Sequence, residues 1–166
     1  MSTPKPHIHL EMQSNAQYLS GAREMTGSVA KRLGFNDAQC SQISLAVDEA
    51  LCNIIRHGYK RKPDEPMWMS IWPIDEGGNE DRGPDPFGMK IVIEDVAPQV
   101  EPEVIKSRCL DDIRPGGLGV HIIREVMDSV SYEKRSGGVG MRLTMVKHKH
   151  STKVPGQAPV RGNSES

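Results

Sequence analysis

What this 166-residue chain has little of narrows its class at once. It holds three cysteines, Cys40, Cys52 and Cys109. An odd count at wide spacing suits neither a disulfide framework nor a zinc site, and it leaves free thiols. Aromatic residues make up only 4% of the chain, and the formal net charge is -1. A balance so near neutrality offers no electrostatic footprint for nucleic acid or an acidic membrane. No apolar run approaches the roughly 20 residues of a membrane span. The opening Met1-Ser-Thr-Pro-Lys-Pro6 lacks the apolar centre of a signal peptide. The expectation is a cytoplasmic protein with one domain over residues 1–150 and a disordered tail over 151–166, where Pro, Gly and Ser crowd out apolar residues.

What is present centres on the stretch from Ile43 to Tyr59. Ile43, Ala46, Val47, Ala50, Leu51, Ile54 and Ile55 recur at steps of three and four, the stripe of a helix with one buried side. Glu49, Asn53 and His57 then stack four apart on a neighbouring face. A carboxylate, an amide and an imidazole one turn apart read equally as a site and as a solvated face. Asn36 or Asp37 caps this helix, and Gly58 stops it. Before it, the alternation His7 to Met12 suits a strand. The spacing of Tyr18, Leu19, Ala22, Met25, Val29, Ala30 and Leu33 suits a helix that Gly34 closes.

Downstream, Met67 to Trp72 and Met89 to Asp95 read as strands, separated by a turn-rich hairpin loop from Asp75 to Pro86. The loop's acidic residues are expected to be solvated. Asp95 stands where a central strand exits, a place where sheets present ligand-binding groups, although an Asp there can simply cap a turn. Residues 99–115 form a long polar connection with a short helical piece around Glu103 to Arg108, the character of a lid. Then Gly116, Gly117, Leu118, Gly119 and Val120 open an amphipathic helix. Glycines let backbone amides approach an anion at a helix N-terminus, so the segment can cradle phosphate, or it can be no more than a tight turn. Two closing strands, Ser129 to Lys134 and Met141 to Lys147, flank a glycine hairpin. His7, His9, His57, His121, His148 and His150 show no metal-ligand spacing, so hydrolysis at a histidine-held metal is not expected.

The order of strand, two helices, strands, glycine-led helix and hairpin predicts an α+β fold. It is a two-layer sandwich with a mixed, mainly antiparallel sheet and helices on one face. Over residues 7–148 the chain resembles the GHKL (histidine-kinase-like, Bergerat-type) ATPases, and among them the anti-sigma-factor serine/threonine kinases. Glu49-x-x-x-Asn53-x-x-x-His57-Gly58 resembles that family's N-box, Ile93-Glu-Asp95 its first glycine box, and Gly116 to Ile123 its second.

The resemblance implies an ATP- and magnesium-dependent kinase. It would phosphorylate a serine on an anti-sigma-factor antagonist of the STAS type, bind a sigma factor or similar regulator, and form a homodimer. It assigns Glu49 as the proton acceptor, Asn53 as the magnesium ligand, and Asp95 as the partner of the adenine amino group. Ala97, Gly116, Gly117, Leu118, Gly119 and Val120 would line the nucleotide. Arg114 either reaches the terminal phosphate or is a solvated lid residue, and His57 is either catalytic or locally bonded. Where the family has a glycine after the Asp, this chain has Ala97 and then Pro98, and where the family often has a threonine near the last strand it has Met141 and Arg142. These departures keep open a second reading, a GHKL-like module that sequesters a regulator without transferring phosphate.

Overall fold

The computed structural model describes residues 4–105 and 118–150. The expected tail at 151–166, most of the lid, and Arg114, Gly116, Gly117 and Cys109 lie outside the described residues.

The first strand, β1 (Ile8–Gln13), alternates half-buried and exposed residues, as its sequence pattern requires. A 3-10 turn at Ala16–Tyr18, capped by the side chain of Asn15, leads into α1 (Leu19–Arg32). Gly34 then reverses the chain at φ +94°, a conformation that side-chain-bearing residues avoid.

The second helix, α2 (Asp37–Asn53), starts from a capping box: the Asn36 side chain accepts from the Gln39 amide, and the Gln39 side chain accepts from the Asn36 amide. Its stripe Ile43, Ala46, Val47, Ala50 and Leu51 is buried, as the three-four spacing foretold. Beyond Asn53 the chain continues as a π-helical turn, Ile54–Gly58. Gly58 therefore does not end the helix as a left-handed cap. The left-handed residues come after it: Lys60, Arg61 and Asp64, at φ 49°, 65° and 66°.

Strand β2 (Pro66–Ile74) begins on a proline, which as the first residue of a strand gives up little of the ladder. The loop after it keeps its acidic side chains busy locally: Asp75 accepts from the Asn79 amide at 2.9 Å, and Glu80 pairs with His7 and Arg82, each at 2.8 Å. Strand β3 (Gly88–Glu94) follows, then a helical turn at 102–105, α3 (Leu118–Val126), β4 (Ser129–Lys134) and β5 (Met141–His148).

The five strands form one sheet in the order β1-β2-β3-β5-β4, every neighbouring pair antiparallel. The crossover through α3 makes β3 and β4 run the same way, which is why the pattern reads as a mixed sheet. The hairpin return then inserts β5 between them and leaves no parallel pair. One face carries Met67, Met69, Ile71, Met89, Ile91, Ile93, Leu143 and Met145 against Ile43, Val47, Leu51 and Ile123 of the helices, all buried in one core. With so few aromatics the filling is done by methionine and isoleucine, whose flexible and branched shapes suit the gap between sheet and helices.

Candidate functional site

The candidate site is assembled from two contacts: the start of α3 seats on α2, and the end of the π turn lies against the loop that follows β3. Glu49 and Asn53 are successive turns of α2 on the edge of its buried stripe, and both are half-buried. Gly119, in the first turn of α3, is buried directly over them. A Cβ at position 119 would lie 2.6 Å from Glu49 Oε2 and 3.2 Å from both polar atoms of the Asn53 amide. The absence of a side chain at 119 is thus what lets the start of α3 close on this acid-amide pair. Two segments far apart in sequence, the polar row of α2 and the glycine-led start of α3, thus share one place.

Asn53 Nδ2 is buried without a hydrogen-bond partner among the described residues. An unsatisfied buried amide costs about 1–3 kcal/mol. Its oxygen and nitrogen exchange places by a half-turn of the terminal bond, so the same spot can present an acceptor or a donor to an incoming ligand. His57, in contrast, lies in the π turn and is exposed, with no hydrogen bond among the described residues. Leu118 is exposed and Val120 half-buried, while Gly119 lies against α2's polar pair.

Asp95 follows β3 with the parity of Ile91 and Ile93 and so faces the helical layer, 5% exposed. Its Oδ1 accepts from the amides of Ala97 at 2.9 Å and Met141 at 3.2 Å. Oδ2 has no partner among the described residues. Burial pushes its carboxyl above the usual range for an aspartate, while the two amides pull the other way. A carboxyl group fixed through one oxygen and open at the other is suited to reading a hydrogen-bond donor.

The departure at Ala97 has a structural answer. Its methyl group is buried, and a Cβ added at Gly58 would lie 3.1 Å from it. The missing side chain at the end of the π turn makes room for the methyl where the family pattern has a glycine. The same contact ties the end of α2 to the strand exit, and Tyr59 reinforces it: its hydroxyl accepts from the Val96 amide at 2.9 Å and donates to the Pro66 carbonyl at 2.6 Å. A π turn inside a helix costs hydrogen-bond quality and recurs at functional sites. Here it swings Gly58 and Tyr59 against the Asp95 loop.

Comparison with known proteins agrees with this architecture. Residues 12–147 match the family described as the histidine kinase-like ATPase domain. The chain belongs to that ATPase family. Family members similar to it include a serine-protein kinase RsbW of Staphylococcus epidermidis, 28% identical over 156 residues that cover 89% of this chain and 90% of the relative. A protein of the same name from Staphylococcus aureus is also 28% identical, with the same coverage. Among solved structures, the mycobacterial sensor histidine kinase MprB shares the fold, with a TM-score of 0.50, 15% identity, and coverage of 85% of this chain and 97% of that one. No helix among the described residues is long and apolar enough to cross a membrane.

Several residues that shape the site carry no clear signal in the sequence. Tyr59 looks like an ordinary residue after a helix. Met141 contributes only its backbone amide, which is silent in any sequence. Arg135, whose guanidinium donates to the Asp95 carbonyl, sits in a hairpin where charges are commonplace.

Proposed function

We propose that this protein is an ATP- and Mg²⁺-dependent serine-protein kinase that acts on a serine of an anti-sigma-factor antagonist, of the STAS type, and also binds a sigma factor or similar regulator as a homodimer. The observation that carries the reading is the seating of Gly119 on Glu49 and Asn53. It joins a candidate phosphate-binding helix start to a candidate base and a candidate ion ligand. The likeness to the RsbW serine-protein kinases supports the class of reaction.

In this reading Asn53 would hold Mg²⁺ through its amide oxygen, which a half-turn of the terminal amide would bring to the buried spot where its nitrogen has no partner among the described residues. Bound there, ATP would supply the phosphoryl group and leave as ADP, and the ion would spread the charge that develops in the transfer. The backbone at the start of α3 would meet phosphate oxygens, aided by the partial positive charge of the helix N-terminus. Asp95 would take a hydrogen bond from the adenine amino group at its open oxygen. Glu49, one turn before Asn53, would accept the proton from the serine hydroxyl as that oxygen attacks. Arg114 and the glycines at 116 and 117 belong to the same reading.

The rival, a module that binds a regulator without transferring phosphate, drew its support from Ala97 and Pro98. With the Ala97 methyl packed on Gly58 and its amide still bonded to Asp95, that support weakens. The test is to capture partners from the native cell on the protein, add Mg-ATP, and look for phosphoserine on them by mass spectrometry. Glu49→Ala is expected to lower the phosphorylation rate about 10²- to 10⁴-fold while ATP still binds. A normal rate in that variant would remove Glu49 from the mechanism.

A further inference from the structure

Behind the Asp95 loop, on the face of the sheet away from the helices, the Arg135 guanidinium does several jobs at once. It donates from one terminal nitrogen to the Asp95 carbonyl at 2.7 Å, and its Nε pairs with Glu94 at 3.2 Å. It also lies 5.2 Å from the centre of the Trp68 ring. Its backbone belongs to the same clamp: the Arg135 amide donates to the Gly140 carbonyl, and Gln99 Nε2 donates to the carbonyls of Arg135 and Gly140. Gly140 in turn donates to the Ala97 carbonyl at 2.8 Å. Arg142 completes the anchor by pairing with Glu94 at 2.9 Å.

The side chain of Asp95 faces the helices while its carbonyl is gripped from the other side of the sheet. A peptide carbonyl held in place fixes the plane of its residue, and therefore where the carboxyl group points. Lysine could satisfy one of these partners, but only the planar guanidinium can stack on Trp68 and donate in two directions. We infer that Arg135 is a positioning residue for base recognition: it holds the Asp95 loop so that the open carboxyl oxygen meets the exocyclic amino group of a purine. This rests on the nucleotide reading given above. Arg135 does not touch the nucleotide in this account; it acts through Asp95.

The experiment compares binding of ATP with binding of purine riboside triphosphate, which lacks the amino group, by calorimetry. The proteins are the unsubstituted chain, Arg135→Met and Arg135→Lys, with thermal melting as a check on folding. The unsubstituted protein should prefer ATP by tenfold or more. Arg135→Met should cut that preference several-fold while affinity for the amino-free analogue changes less than twofold, and Arg135→Lys should recover part of it. A merely structural role would weaken both ligands alike and leave the ratio untouched, and that result overturns the inference. Should Arg135→Met not fold, Glu94→Gln loosens the same guanidinium; a several-fold fall in the ratio supports the inference and an unchanged ratio overturns it. If the unsubstituted protein binds neither ligand, the nucleotide reading itself falls and the inference with it. If it binds both equally, the role of Asp95 falls, and that of Arg135 too, while the phosphate end of the site stands.

Discussion

Asp95 illustrates what burying a single carboxyl group costs the fold. Its carboxyl pKa is raised by burial, so the folded state holds the proton more tightly than the unfolded one. Below the ordinary aspartate pKa of about 3.9 both states are protonated and nothing is lost. As pH rises through that value and then through the raised folded one, folding must bear the cost of a buried charge, and stability falls. Asp95→Asn keeps an acceptor for the Ala97 and Met141 amides and carries no charge. It should therefore raise the melting midpoint by about 2 °C or more at pH 7, a gain that vanishes near pH 4, while it abolishes the preference for adenine. An equal midpoint at pH 7, or a gain that persists at pH 4, would show that burial of this charge is not what the site tolerates for function. Sequence alone nominated Asp95 from its place at a strand exit. It could not show which oxygen is engaged, because the partners are backbone amides.

At the scale of elements, two glycines separate a fold requirement from a site requirement. Gly140 adopts φ +83°, and a Cβ there would stand 2.0 Å from the Asp95 carbonyl oxygen, a backbone atom that cannot step aside. Gly140→Ala should lose more than about 2 kcal/mol in urea denaturation, since strain at positive φ and a backbone clash add. Gly119→Ala meets the end of the Glu49 side chain, which can rotate away. That variant should melt within a few degrees of the unsubstituted protein yet phosphorylate at least tenfold more slowly, because Glu49 is displaced from its place beside Asn53. If both substitutions proved equally costly to the fold, Gly119 would be a packing glycine and no more.

The helix carrying Glu49 and Asn53 was legible because its period is strong. Its continuation as a π turn was not, and the expectation that His57 would join the polar row carried over an α-helical step that this turn does not keep. The strand read from Met67 begins one residue earlier, at Pro66: proline signals a turn locally, and pairing with Gln13 of β1 overrides that signal.

For the molecule as a whole, order along the chain was enough to foresee two layers with helices on one face. The sheet's neighbours were harder to read, because β5 enters between β3 and β4 and only long-range pairing decides that. The gathering of Glu49, Asn53 and Gly119 was legible through a combination of weak motifs, none sufficient by itself. The clamp around Arg135 was hidden, since it depends on which hairpin lies behind which strand. Ligand binding at this junction should hold the layers together: at a free ligand concentration of 100 times Kd, folding gains about 2.7 kcal/mol.

The most direct test is calorimetry of ATP binding with and without Mg²⁺, on the unsubstituted protein and on Asn53→Ala. The assignment of Asn53 as the Mg²⁺ ligand requires that Mg²⁺ tighten ATP binding at least tenfold in the former, and that this enhancement disappear in the latter while its fold, followed by melting, is retained. Mg²⁺-enhanced binding that survives the loss of Asn53, or no binding of ATP at all, would contradict it.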